Sequence, residues 1–126
     1  MNEQKMISLV HNLYQAVDNK DLDYLSNILA NQARFRIGNN SALTDKALIL
    51  EGNRQFFSSV KSMSHSIDDI VYQGADEHGM SKVCCYGSVK YLRLDGSEHA
   101  VVFSTFLAVQ NSLIMDYLVF VDLSGL

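Results

Sequence analysis

Apolar positions recur every three to four residues through the first half of the chain and every two residues through the second. Met6, Ile7, Val10, Leu13, Tyr14 and Val17 form one helical stripe, which predicts a helix over roughly residues 3–17. Asp18-Asn19-Lys20 is a polar break. Asp21 is placed to cap a short second helix whose Leu22, Leu25, Ile28 and Leu29 share a face, and Asn31-Gln32 ends it. From Ala33 to Ile37 the period is two, so Ala33, Phe35 and Ile37 turn inward and Arg34 and Arg36 outward in a first strand. Gly38-Asn39-Asn40-Ser41 is a turn. Thr44 or Asp45 caps a third helix reaching about Met63, with Ile49, Phe56, Phe57, Val60 and Met63 as its buried stripe. Gly52 inside that helix costs about 1 kcal/mol against alanine, which a close contact with another element would compensate.

Beyond this point strands are expected over His65–Tyr72, Lys82–Leu94, Ala100–Val109 and Leu113–Asp122. Asp76-Glu77-His78-Gly79, Leu94-Asp95-Gly96 and Gln110-Asn111-Ser112 separate them, and Asp95-Gly96 is a hairpin signal. Connections this short make the four an antiparallel meander. A curved sheet folded over helices leaves a concave side, which is a natural pocket. The last strand is the most apolar, and Asp116 stands in its middle. Alternation groups Asp116 with Leu118 and Phe120 on one face, and Met115, Tyr117, Val119 and Val121 on the other. A carboxylate in such a run must be hydrogen-bonded, neutralised or in a wet cavity. The first group is expected to face the pocket.

Composition narrows the classes. The 126 residues are 48% hydrophobic, enough for one folded domain over 1–126. A net charge of −4 argues against nucleic-acid or anionic-membrane partners. No apolar run approaches membrane-spanning length. The N-terminus lacks a secretory pattern, and adjacent Cys84 and Cys85 are poorly placed to pair with each other, so a reducing cytoplasmic setting is expected. There is no proline, no phosphate loop, no dinucleotide fingerprint, no serine-nucleophile elbow and no metal-ligand spacing, so neither metal nor organic cofactor is expected.

Leu13-Tyr14-Gln15-Ala16-Val17 is followed by Lys20-Asp21-Leu22-Asp23-Tyr24-Leu25, and then in order come Ala33-Arg34-Phe35, Ser64-His65-Ser66-Ile67-Asp68-Asp69-Ile70, Asp95-Gly96 and Phe120-Val121-Asp122-Leu123-Ser124. In the order and spacing of these stretches the chain resembles the nuclear-transport-factor-2-like (NTF2-like) superfamily, in particular its SnoaL-like and ketosteroid-isomerase-like members. The resemblance covers nearly the whole chain. It implies an α+β fold, a cone-shaped curved antiparallel sheet packed on N-terminal helices, often a homodimer with a small-molecule pocket. Activities in the superfamily include isomerases, polyketide cyclases, dehydratases and epoxide hydrolases, alongside binding proteins without chemistry.

The ketosteroid-isomerase roles do not carry over as a set. Tyr14 falls where that family's oxygen-holding tyrosine stands, but the base position falls on Ile37 and the protonated-acid position on Ser104 or Thr105. Steroid isomerisation by that route is therefore not expected. Polyketide cyclases of the superfamily can use an aspartate as acid–base residue, which points to Asp116.

Three residues are candidates for chemistry. Asp116 reads as a general acid–base, or as a solvated or tied-down carboxylate. Tyr14 reads as a donor to a ligand oxygen, or as a core aromatic of the first helix. His65 reads as a proton shuttle, or as a strand-start surface residue, and a carboxylate partner would favour the first. Phe35, Ile37, Phe56, Phe57, Ser104, Leu118 and Phe120 are the expected pocket lining. Val101, Phe103, Leu107, Val109, Tyr117 and Val119 are expected on the outer sheet face, where they need a second cover such as a homodimer contact. The expected function is a cofactor-free isomerase, cyclase or lyase acting on a small hydrophobic carbonyl compound. The alternatives are a non-catalytic small-molecule-binding module, or a dimeric interaction module with its pocket filled by side chains.

Overall fold

Side-chain caps start the three helices. Asn2 accepts from the Lys5 amide at 2.8 Å, Asp21 from Tyr24 at 3.0 Å and Asp45 from Ala47 at 2.7 Å. In the computed structural model, which describes residues 2–126, these open α1 (Glu3–Asp18), α2 (Leu22–Ile28) and α3 (Lys46–Ser59). The strands are β1 (Leu29–Ile37), β2 (Val60–Gln73), β3 (Ser81–Arg93), β4 (Glu98–Gln110) and β5 (Leu113–Val121). They form one sheet in the order β1-β5-β4-β3-β2. β2 to β5 are the expected antiparallel meander. β1 pairs with β5 in parallel, so the sheet is mixed. The chain between β1 and β5 is more than long enough for the crossover a parallel pair requires.

The third helix is shorter than its pattern suggested. It ends at Ser59, and Val60 and Met63 belong to β2. Asn53 takes a buried place on the helix stripe beside Ile49 and Phe57, while Phe56 is only partly covered. Gly52 does have its close neighbour: a Cβ there would lie 3.0 Å from Leu43 Cδ1. Gly87 is far more constrained, because a Cβ would lie 1.8 Å from the Ser66 carbonyl oxygen. The β2–β3 register shifts between Ile67 and Asp69, next to that contact, so bulge and glycine together bend the sheet around its core.

α1 and α3 cover the concave face of the sheet. The core there includes Met6, Val10, Leu13, Leu25, Ile49, Phe57, Val83, Val89 and Leu107. This corrects the assignment of sheet faces. Phe103, Leu107, Val109, Tyr117 and Val119 are buried under the helices, with Val101 packed against them, rather than lying on the outer face. Among the described residues no helix is long and apolar enough to cross a membrane.

Candidate functional site

The end of α1 sets up the site. Lys20 adopts a left-handed φ of 56°. Its amide bonds the Val17 carbonyl, and the Asp21 amide bonds the Ala16 carbonyl, which together make a Schellman stop. Lys20 Nζ then reaches the carbonyl oxygens of Val60 at 2.8 Å and Lys61 at 3.2 Å, fastening the helix end to the start of β2. Asp18, the last residue of α1, is thereby held against His65 on β2. Its Oδ1 lies 2.6 Å from His65 Nδ1, and its Oδ2 accepts from the His65 amide at 2.9 Å. A carboxylate in the last turn of a helix opposes the helix dipole, so Asp18 is poorly explained as a helix-stabilising residue. Its two bonds to one histidine explain it better. The carboxylate accepts, so Nδ1 carries a proton and donates it. Nε2 makes no hydrogen bond to the described residues.

His65 forms part of the wall of a hollow between the sheet and α1 and α3. Tyr14, Phe35, Ile37, Asn53, Phe56, Phe57, Tyr91 and Tyr117 are among the other residues around it. The hollow measures about 20 Å³. That is room for about one water molecule. Phe56 stands edge-on to Tyr91, with ring centroids 5.8 Å apart, and Phe35 stands edge-on to Tyr117 at 5.0 Å. Aromatic side chains thus occupy most of the space. The polar groups among them are the Tyr14–Thr105 and Tyr14–Tyr117 hydrogen bonds, Asn53 and Tyr91. Asn53 Nδ2 bonds the Ile49 carbonyl at 2.9 Å, leaving the carboxamide oxygen free. Burial raises both Tyr14 and Tyr117 well above the usual phenol range. Burial also pushes Tyr91 up to about 12, with the nearby Asp18 carboxylate adding to it. All three phenols are therefore neutral donors.

Tyr14 and His65 meet at this wall, their ring centroids 4.5 Å apart. Phe35, Ile37, Phe56 and Phe57 also line the hollow. Asp116, Ser104, Leu118 and Phe120 do not. In the β4–β5 register Ser104 lies opposite Phe120, and Leu118 opposite Phe106, all on the convex face away from the helices. Asp116 lies on that face as well, paired with Arg34 across the β1–β5 edge at 3.0 Å. Its role as a pocket acid–base residue is withdrawn on this geometry. Thr105, rather than Ser104, is the inward residue at that point of β4, and it bonds Tyr14. The sequence reading missed Asp18, which looked like a helix break, and it missed Tyr91 and Asn53. Among the described residues no three His, Cys, Asp or Glu side chains come together as a metal-holding group.

No protein-family model matches the chain, and no curated protein matches it in sequence. Solved structures do match in three dimensions. A candidate dehydratase of the NTF2-like family from Streptomyces avermitilis superposes with a TM-score of 0.82 at 10% identity, over 94% of this chain and 95% of that one. This chain has the NTF2-like fold. Other proteins of that fold agree with it. A candidate SnoaL-like polyketide cyclase from Jannaschia sp. CCS1 gives 0.79 at 13% identity, over 94% of this chain and 86% of that one. An LEH-like epoxide hydrolase from M. tuberculosis gives 0.74 at 15% identity, over 91% and 80%. The NTF2-like fold is thus shared across differently named activities, and the fold alone does not choose among them.

Proposed function

We propose that this protein is a cofactor-free proton-transfer catalyst of the isomerase, cyclase or lyase type, acting on a small carbonyl compound at the hollow. The supporting observation is the Asp18–His65 pair: a carboxylate making two bonds to one histidine and leaving Nε2 free at the wall of a mostly apolar hollow. Nε2 takes a proton from the carbon next to the carbonyl, the electron pair passes toward the carbonyl oxygen, and Asp18 stabilises the imidazolium. The proton then returns to carbon, giving an isomer, or goes to a β-hydroxyl that leaves as water. The dyad assumes the role first assigned to Asp116.

Deuterium uptake at carbon tests this reading. Cyclohexenone and a panel of other enolisable ketones are incubated with the protein in heavy water and followed by NMR. Exchange above the buffer rate is expected for the wild type. His65→Asn abolishes it, Asp18→Asn lowers it about 100-fold, and Asp116→Asn leaves it unchanged. No exchange with any ketone removes the catalytic reading. A second reading, an interaction module with a filled interior, is favoured by the 20 Å³ volume. It gains if no ketone binds either.

We further propose that the convex sheet face meets a second copy of the chain. Val102, Val71, Tyr86 and Phe120 are 78%, 64%, 55% and 47% exposed. They adjoin Cys84, Ser104, Phe106 and Leu118 through the strand register. The rim of this apolar centre carries both signs, with Arg34–Asp116 at one side, Lys90–Glu98 at another and Arg36 over the Phe120 ring. A surface that is apolar at its centre and carries both signs at its rim suits an identical surface better than a strongly charged partner.

A further inference from the structure

Taking the hollow as the ligand site, we infer that Tyr91 rather than Tyr14 receives the ligand's oxygen, and that the ligand is an uncharged ring-sized carbonyl or phenol. Tyr91 is 2% exposed and lines the hollow, and its hydroxyl makes no hydrogen bond to the described residues, so it is open to a group placed there. A ligand oxygen in the hollow can accept the hydrogen bond that this hydroxyl has open to donate. Tyr14 has no such vacancy, because Thr105 and Tyr117 already engage its hydroxyl.

Tyr91 is also held in position. Its ring stands edge-on to Phe56 and to His65, at 5.8 and 6.4 Å, and is backed by His99, stacked at 6.2 Å. His99 is in turn fixed by its bond to the Asp122 carbonyl at 3.2 Å. Tyr91 and His65 line one hollow from neighbouring strands, the arrangement that a donor and a base acting on one carbonyl require.

Charge and size define the rest. No lysine or arginine lines the hollow, and the Asp18 carboxylate lies close enough to raise Tyr91. An anionic ligand would lose its water there and gain no counter-charge. The existing space admits no ring, but Phe56 is partly exposed and its displacement breaks no hydrogen bond. A ligand ring takes the volume that Phe56 leaves.

The test uses phenol, toluene and benzoate, which share a ring and differ in hydroxyl and charge. Binding is measured by NMR titration on the wild type and on Phe56→Ala. Phenol is expected to bind at least tenfold more tightly than toluene, benzoate is expected not to bind, and Phe56→Ala is expected to strengthen both neutral probes. Adding Tyr91→Phe brings phenol down to the toluene level. Benzoate binding as well as phenol overturns the inference, and so does a phenol preference that survives Tyr91→Phe. If Phe56→Ala does not fold, the wild-type comparison with Tyr91→Phe alone decides. A phenol preference untouched by Tyr91→Phe, beside deuterium exchange that still needs His65, sinks this assignment and leaves the proton-transfer reading standing. Phenol selectivity through Tyr91 without any exchange does the reverse.

Discussion

Burial holds the Cys85 thiol up at about 11 and the Tyr91 phenol at about 12, and it raises Tyr14 and Tyr117 as well. Each of these groups is neutral when protonated. The folded chain keeps protons that the unfolded chain releases from about pH 9 for the thiol and about pH 10 for the phenols. The resulting stabilisation is complete below about pH 9 and is lost as pH rises toward 12. The urea midpoint is therefore expected to fall between about pH 9 and 12, and to fall less steeply in Tyr91→Phe. A flat midpoint over that range contradicts the burial of these groups. The same scale shows what a single residue could not reveal. Asp116 stood out in sequence because its neighbours are apolar, but those neighbours lie on two faces of a strand, and the carboxylate lies on the solvent-facing one with Arg34. Asp18 did not stand out, because polar residues after a helical stripe are ordinary. Its meaning depends on a histidine 47 positions away.

At the scale of elements, the same substitution at two glycines separates packing from propensity. Gly52→Ala places a Cβ 3.0 Å from the flexible end of Leu43, which can give way, and it removes a helix-interior glycine worth about 1 kcal/mol. The two effects oppose, and a stability change within about 1 kcal/mol is expected. Gly87→Ala places its Cβ 1.8 Å from a backbone oxygen of the neighbouring strand. Relief requires β2 and β3 to part, so a loss of at least about 3 kcal/mol is expected by chemical denaturation. A mild Gly87→Ala would mean that the sheet does not bend there as described. The elements themselves were legible because period and caps agree: the three helices, the inward Ala33-Phe35-Ile37 and the meander all follow from spacing. The faces of β5 were not. Both of its sides are apolar, so alternation sorts residues into two groups without saying which group the helices cover. A register shift at Ala108/Val109 also puts Ile114 and Tyr117, three apart, both in the core. The deciding clue was Arg34, already expected outward, which lies beside Asp116 once β1 joins β5. Nothing local announces that pairing, because most of the chain lies between the two strands.

For the whole molecule the reversal of faces moves the expected contact surface without abolishing it. The residues first assigned to a second cover are in the core. The face that replaces them is still apolar at its centre, with Val102 the most exposed large hydrophobic residue. Solvent-facing sheets commonly alternate apolar inside with polar outside, and this one departs from that pattern where β3, β4 and β5 run side by side. In a two-fold pair every substitution is present twice, so one charge at the centre buries two like charges against each other. Val102→Lys touches nothing in the core and is expected to leave the circular dichroism spectrum unchanged. Sedimentation is expected to show the wild type as a dimer at micromolar concentration and Val102→Lys as a monomer. Phe120→Ala, at the border of the same patch, is expected to weaken the dimer less. A wild type that sediments as a monomer, or a Val102→Lys protein that still pairs, would leave this apolar face without the second copy proposed for it.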